Sequence, residues 1–167
     1  AMFAHFLNEN GNGNAIEGGV TWLNGASKYV RVHQVSGKWQ TDAYFGYHPV
    51  IDVNWYGARA YCTWVGRQLP GEAQWEKAAR GTSGQIYPWG NQLPTCDMTN
   101  HGLCAGNSTA VKSYERDKSP YGAYDMAGNT SEWVADWYSD TYYTSQVSWH
   151  NPTGPSSGTR RVFRGGS

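Results

Sequence analysis

The chain is short of charge. Only 16% of its 167 residues are Asp, Glu, Lys or Arg, against about 25% in an ordinary soluble domain. The 13 basic and 13 acidic residues cancel, and Lys and Arg form no run. A nucleic-acid groove therefore has no electrostatic basis, because phosphate contact needs a basic stripe. Long apolar runs are missing as well: none approaches the ~18 residues of a membrane-spanning helix. Internal repeats and low-complexity tracts are absent. Cysteine is scarce, at three residues, but a chain of this length can bury a core without covalent staples.

Turn formers and aromatics take the place of charge. The 21 glycines and 7 prolines point to a compact fold with many turns. Nine Trp and twelve Tyr supply much of the buried area, and their N–H and O–H groups need partners. The expected core is mixed aromatic and polar rather than aliphatic.

Periodicity predicts a helix over residues 1–10, with Met2, Phe3, Phe6 and Leu7 on one face. Residues 20–39 read as irregular strands: VTWLN, KYVRVHQV and, after a Ser36-Gly37 turn, KWQ. His48-Pro49-Val50 with Val53 reads as a short apolar strand leading to Asn54, an N-cap. The helix after it carries Trp55, Ala58, Tyr61, Cys62 and Val65 on one stripe and stops at Gly66. A second helix, GEAQWEKAAR, turns Trp75, Ala78 and Ala79 inward and presents Glu72, Glu76 and Lys77 on a solvated face. Beyond Gly81 no long helix is expected. YPWG (87–90) is a tight aromatic turn, AVKSY a short strand and TRRVFR a closing strand. A helix pattern at the first residues and a closing strand that runs into Gly165-Gly166-Ser167 suggest continuation at both ends. The reading is one domain, 1–167, truncated on both sides.

Cys96 and Cys104 bracket the loop CDMTNHGLC. A disulfide, two free thiols, or half of a metal site completed by His101 are the three readings. The lack of a second CxxC pair weighs against zinc, so the disulfide is expected. Such a bond fits an oxidising location: extracellular, periplasmic or cell-surface. Cys62, inside a helical pattern, reads as a small buried hydrophobe.

The stretch PYGAYDMAGNTSEWVADWY (120–138) concentrates the chemistry. Asp125 and Glu132 offer hard carboxylate oxygens, and the Gly128-Asn129 turn between them can expose carbonyls. Calcium takes that mixture of donors. A surface Asx-turn capping a Trp-anchored strand has the same spacing, and spacing alone leaves both readings open.

Three blocks in order carry a resemblance: WYGARAYCTWVGRQLPGEAQWEKAARG, then YPWGN, then YGAYDMAGNTSEWVADWY with RRVFRGGS. Together they resemble the formylglycine-generating enzyme family, also called sulfatase-modifying factor domains, from about Met2 to Ser167. The resemblance implies an α+β fold similar to C-type lectins, with two helices on a small twisted antiparallel sheet and much irregular loop. It implies a structural calcium held by the side chains of Asp125 and Glu132 and the carbonyls of Gly128 and Thr130. Asp125 stands where family enzymes have Asn. A second calcium loop of the family has no match here, and the Cys96–Cys104 segment occupies its region.

Enzymes of that family oxidise a sulfatase cysteine to formylglycine with molecular oxygen, using copper(I) on two cysteines. In the family pattern those cysteines follow the Gly-Gly-Ser, beyond Ser167. Cys62, Cys96 and Cys104 do not match them by motif. Ser131 stands in place of a pocket tryptophan, and Ser167 alone matches the family's pocket serine. Copper is expected only if a missing C-terminal segment supplies thiolates. The expectation is a chain without catalytic residues: a calcium-stabilised module for a protein or peptide ligand, of the kind made by diversity-generating retroelements. The alternative is the body of a formylglycine-generating oxidase whose cysteines lie on that C-terminal segment. A sulfoxide-synthase-like fragment, completed by histidines from a partner domain, is a third reading.

Overall fold

The computed structural model describes residues 1–10, 14–102, 104–145 and 149–166. The chain divides into two compact units, Ala1–Leu69 and Pro70–Ser167.

The first unit is built on an aromatic core. Helix α1 (Met2–Glu9) buries Phe3, Ala4, Phe6 and Leu7, and Phe6 and Leu7 are fully enclosed together with Leu23. The Phe6 ring stacks on Trp22 at 5.2 Å and meets Tyr61 edge-on at 5.6 Å, the offset and T-shaped geometries that ring quadrupoles favour. Met2 is exposed instead, because it falls ~100° from Phe3 on the helical wheel, at the edge of the apolar stripe. Two hairpins follow. Strands β1 (Ile16–Glu17) and β2 (Val20–Thr21) pair antiparallel, as do β3 (Val32–Val35) and β4 (Lys38–Thr41), with Val35 opposite Lys38 across the Ser36-Gly37 turn. No strand forms at 48–53; Val53 makes a single bridge to Leu23. Pro49 has no N–H to give a ladder, and Asp52 sits at φ 57°, outside strand geometry.

Helix α2 (Trp55–Trp64) starts where Asn54 places it: the Asn54 side chain accepts from the Gly57 N–H at 2.8 Å. Gly57 lies so close to Trp22 that an added Cβ would meet the Trp22 carbonyl oxygen at 2.8 Å. Val65 is exposed, and Ala60, Tyr61 and Trp64 pack on the core instead. Asn54→Ala is expected to cost about 1 kcal/mol and to lower the melting temperature by about 2–4 °C in a thermal scan.

The second unit lays α3 (Glu72–Arg80) on the antiparallel ribbon of β5 (Ser131–Trp137) and β6 (Arg161–Gly165), with Trp75, Ala79, Val134 and Val162 buried between them. The α3 N-terminus is capped from afar. Asp136 on β5 accepts the Glu72 N–H at 2.7 Å, and Gln74 accepts the Gly71 N–H at 2.9 Å. The acidic face of α3 is not merely solvated. Arg164 of β6 reaches Glu76 at 2.8 Å and Glu72 at 3.7 Å, and the Tyr143 hydroxyl donates to Glu72 at 3.2 Å. Among the described residues the rest is loop, apart from a 3-10 turn (Glu115–Asp117) and the short α4 (Tyr142–Ser145). AVKSY forms no strand, since Lys112 adopts φ 64°. Tyr87 and Trp89 stack at 5.1 Å across the YPWG turn.

Candidate metal centre

The loop before β5 is held from several sides. Asp125 and Asn129 both adopt positive φ, 59° and 68°, which short polar side chains tolerate. The buried Asn129 side chain accepts from the Thr109 N–H at 2.7 Å and donates back to the Thr109 carbonyl at 3.1 Å. The Asn129 backbone N–H donates to the Asn100 carbonyl at 2.7 Å. Gly128 fills a space with no room for a side chain: a Cβ there would lie 2.3 Å from Thr99 Oγ1 and 2.5 Å from the Asn100 oxygen.

Three carboxylates, each with one buried oxygen, gather around this loop; Asp117 is buried as a whole, and Asp125 and Glu132 are half-buried. Asp125 uses Oδ2 to accept the Lys112 N–H at 2.9 Å, while its Oδ1 is buried without a hydrogen bond. Glu132 Oε2 and Asp117 Oδ1 are buried and unpartnered in the same way. Burial pushes the Glu132 carboxyl from 4.5 up to about 8; the Trp75 indole opposes this, and the charges of Asp125 and Asp117 add to it. Asp117 rises from 3.8 to about 6, first by burial, against the Thr99 hydroxyl that donates to it at 2.7 Å, and with a further push from Asp125. A buried carboxylate oxygen with no partner is unfavourable. Either a proton or a cation relieves it.

The donors suit a hard cation. Asp125 and Glu132 contribute carboxylate oxygens and interact electrostatically. A Cβ at Gly165 would lie 2.6 Å from Glu132 Oε2 and 3.4 Å from the Thr130 carbonyl, so the glycine leaves open the space that both oxygens face. Gly128 offers a carbonyl that already accepts the Thr130 N–H at 2.8 Å, leaving one lone pair. The three carboxylates do not all lie within 4.8 Å of one another, so their side chains alone make no cage, and a cation here would also need backbone carbonyls. An all-oxygen set of this kind fits calcium. Ser131 is exposed at the start of β5, and Ser167 lies outside the described residues. Asp117 was not legible in the sequence. ERDKSPYG has the look of a charged surface loop, yet Asp117 is buried and its carboxylate accepts from Thr99, eighteen positions away.

The thiols have a different fate. Cys96 and Cys104 form a disulfide, with Cα atoms 5.4 Å apart. Cys62 is half-buried in the first unit, and desolvation pushes its thiol up. The thiols of this chain therefore offer no free pair, and the donor set does not fit copper(I), which wants soft thiolates.

Comparison with known proteins supplies the family. The sulfatase-modifying factor enzyme 1-like domain family matches residues 1–167. The chain is 44% identical over 141 residues to a Chlamydia caviae protein named serine/threonine-protein kinase pkn1, covering 83% of this chain and 22% of that protein. It is 41% identical over 134 residues to the formylglycine-generating enzyme of Streptomyces coelicolor, covering 72% of this chain and 42% of that protein. It thus spans less than half the length of either relative. The solved structure of PvdO from Pseudomonas aeruginosa superposes with a TM-score of 0.55 at 24% identity, over 72% of this chain and 50% of that one; this likeness bears on the fold alone. The match along the full sequence and the helix-on-ribbon architecture agree: the chain belongs to the formylglycine-generating enzyme family of sulfatase-modifying factor domains.

Proposed function

We propose that these residues form a calcium-stabilised, non-catalytic module that binds a protein or peptide ligand. The observation that carries the reading is the contrast between the two kinds of donor. Buried, unpartnered carboxylate oxygens sit beside a carbonyl-bearing turn with positive φ at Asp125 and Asn129, while two of the three thiols are consumed in a disulfide. Asp125, Glu132 and the carbonyls of Gly128 and Thr130 would hold the ion, which neutralises buried negative charge and supplies no chemistry. The recognition surface would draw on exposed aromatics of the second unit such as Tyr121, Tyr138 and Trp149, large rigid groups that bind at low entropic cost. A diversity-generating-retroelement variable protein is the narrower form of this reading. The disulfide supports an extracellular, periplasmic or cell-surface location.

The identity to a Streptomyces coelicolor formylglycine-generating enzyme favours one competing reading: the body of a copper-dependent oxidase of sulfatase cysteines, completed by cysteines beyond Ser167. Incubating this chain with copper(I), oxygen and a cysteine-bearing sulfatase peptide separates the two. The expected mass spectrum shows unmodified peptide. Conversion of the cysteine to formylglycine by these residues alone would overturn the non-catalytic reading.

A further inference from the structure

The Cys96–Cys104 loop contains a third metal-competent group. A ring nitrogen of His101 lies within 4.8 Å of both sulfurs, and His101 Nε2 is buried without a hydrogen bond. We propose that reduction of this disulfide turns the loop into a Cys2His site for one zinc ion, separate from the oxygen-lined centre. Two thiolates and an imidazole are the borderline-soft donors zinc selects. Three protein ligands leave its fourth position for water or an external group.

The loop holds its shape by contacts that do not depend on the S–S bond. Between the two cysteines, Thr99 Oγ1 donates to Asp117 at 2.7 Å, and the Asn100 carbonyl accepts the Asn129 N–H at 2.7 Å. The Asn100 side chain donates to the Asn107 carbonyl at 2.9 Å and accepts the Ala105 N–H at 3.2 Å. The Cys104 N–H donates to the His101 carbonyl at 3.1 Å. Both sulfurs are therefore tethered within a few residues of a fixed point, and reduction leaves them near His101. Cys96 is exposed, so a reductant can reach the bond.

The chemistry balances with a dithiol as reductant. One of its thiolates attacks a cystine sulfur and forms a mixed disulfide; its second thiol closes the ring and leaves as a cyclic disulfide. Two electrons and two protons pass to Cys96 and Cys104. Zinc binding then releases the two thiol protons. Reoxidation by a disulfide of the same class re-forms the bond and frees the ion.

The test uses the full chain, reduced anaerobically with a dithiol, desalted, and held in excess calcium to fill the oxygen site. Titration with cobalt(II) is expected to give the intense visible bands of tetrahedral thiolate coordination at one ion per chain, displaced by zinc and absent from the oxidised chain. Cys96→Ser abolishes the bands. His101→Ala weakens binding by at least about tenfold, the lower end of what even an outer-shell change costs a metal site. The near-ultraviolet circular dichroism of the oxidised His101→Ala chain checks that this variant folds. Pale octahedral cobalt alone, or unchanged affinity in His101→Ala, would overturn the proposal. So would loss of the near-ultraviolet signal on reduction before metal is added. The calcium reading stands or falls separately, on the melting behaviour of the oxidised chain.

Discussion

Removing calcium from the oxidised chain at pH 8 is expected to lower its melting temperature by about 5–10 °C. An ion present at about a hundred times its dissociation constant stabilises the native state by about 2.7 kcal/mol, and each kcal/mol moves the midpoint of a domain this size by about 2–4 °C. The effect should depend on pH in a definite direction. Folded Glu132 keeps its proton up to about 8 rather than 4.5, and folded Asp117 up to about 6 rather than 3.8. Between the unfolded and folded values the native chain binds more protons than the unfolded one. Stability of the ion-free chain therefore falls as pH rises through that window. A proton would do at pH 5 what the proposed calcium would do at pH 8. The chelator-induced shift should shrink towards pH 5, and Glu132→Gln should remove it while leaving the ion-free chain at pH 8 at least as stable as the parent. Melts with and without chelator at both pH values, with metal analysis of the stripped protein, check this. Equal midpoints at pH 8 would refute the site.

Gly128→Ala is expected to be the most damaging small substitution in the loop. The new methyl would sit 2.3 Å from Thr99 Oγ1, which can rotate only by giving up its bond to Asp117, and 2.5 Å from the Asn100 carbonyl oxygen, which cannot rotate away. The Asn100 carbonyl is held in place by the Asn129 N–H, so relief of the clash means moving backbone. Overpacking of this kind costs about 1–3 kcal/mol, occasionally more. Because the displaced loop carries Asp125 and precedes Glu132, the calcium response should weaken in the same variant. Denaturant unfolding with and without calcium reads both effects. A stability within about 0.5 kcal/mol of the parent, the range of ordinary surface changes, together with an intact calcium response, would show that the loop does not hold Gly128 as described.

Much of the local structure was legible because it is local. The Asn54 cap, the Gly66 and Gly81 stops, and the apolar spacings of α1 and α3 are decided within a turn or two of the backbone, and the structure keeps them except at Met2, which is exposed, and Ala78, which is half-buried. The Ser36-Gly37 hairpin is of the same kind. Misreadings fell where a single backbone angle overrode an apolar pattern, as at Asp52 and Lys112. Another came where a charged face met a partner from a distant strand, as Glu72 and Glu76 meet Arg164.

The sequence by itself determined the family, through three ordered blocks, and placed Asp125, Gly128, Thr130 and Glu132 within one short stretch, a loop and the start of β5, since neighbours in the chain must be neighbours in space. It also determined that Cys96 and Cys104 could be joined. Only the tertiary structure decided which charges are buried. Asp117 enters the carboxylate cluster through Thr99, and Asp136 caps α3 across sixty-four positions. His101 comes to face the two sulfurs because Thr99 and Asn100 are pinned to other loops. Burial and long-range hydrogen bonding depend on the packed whole, and no local spacing encodes them.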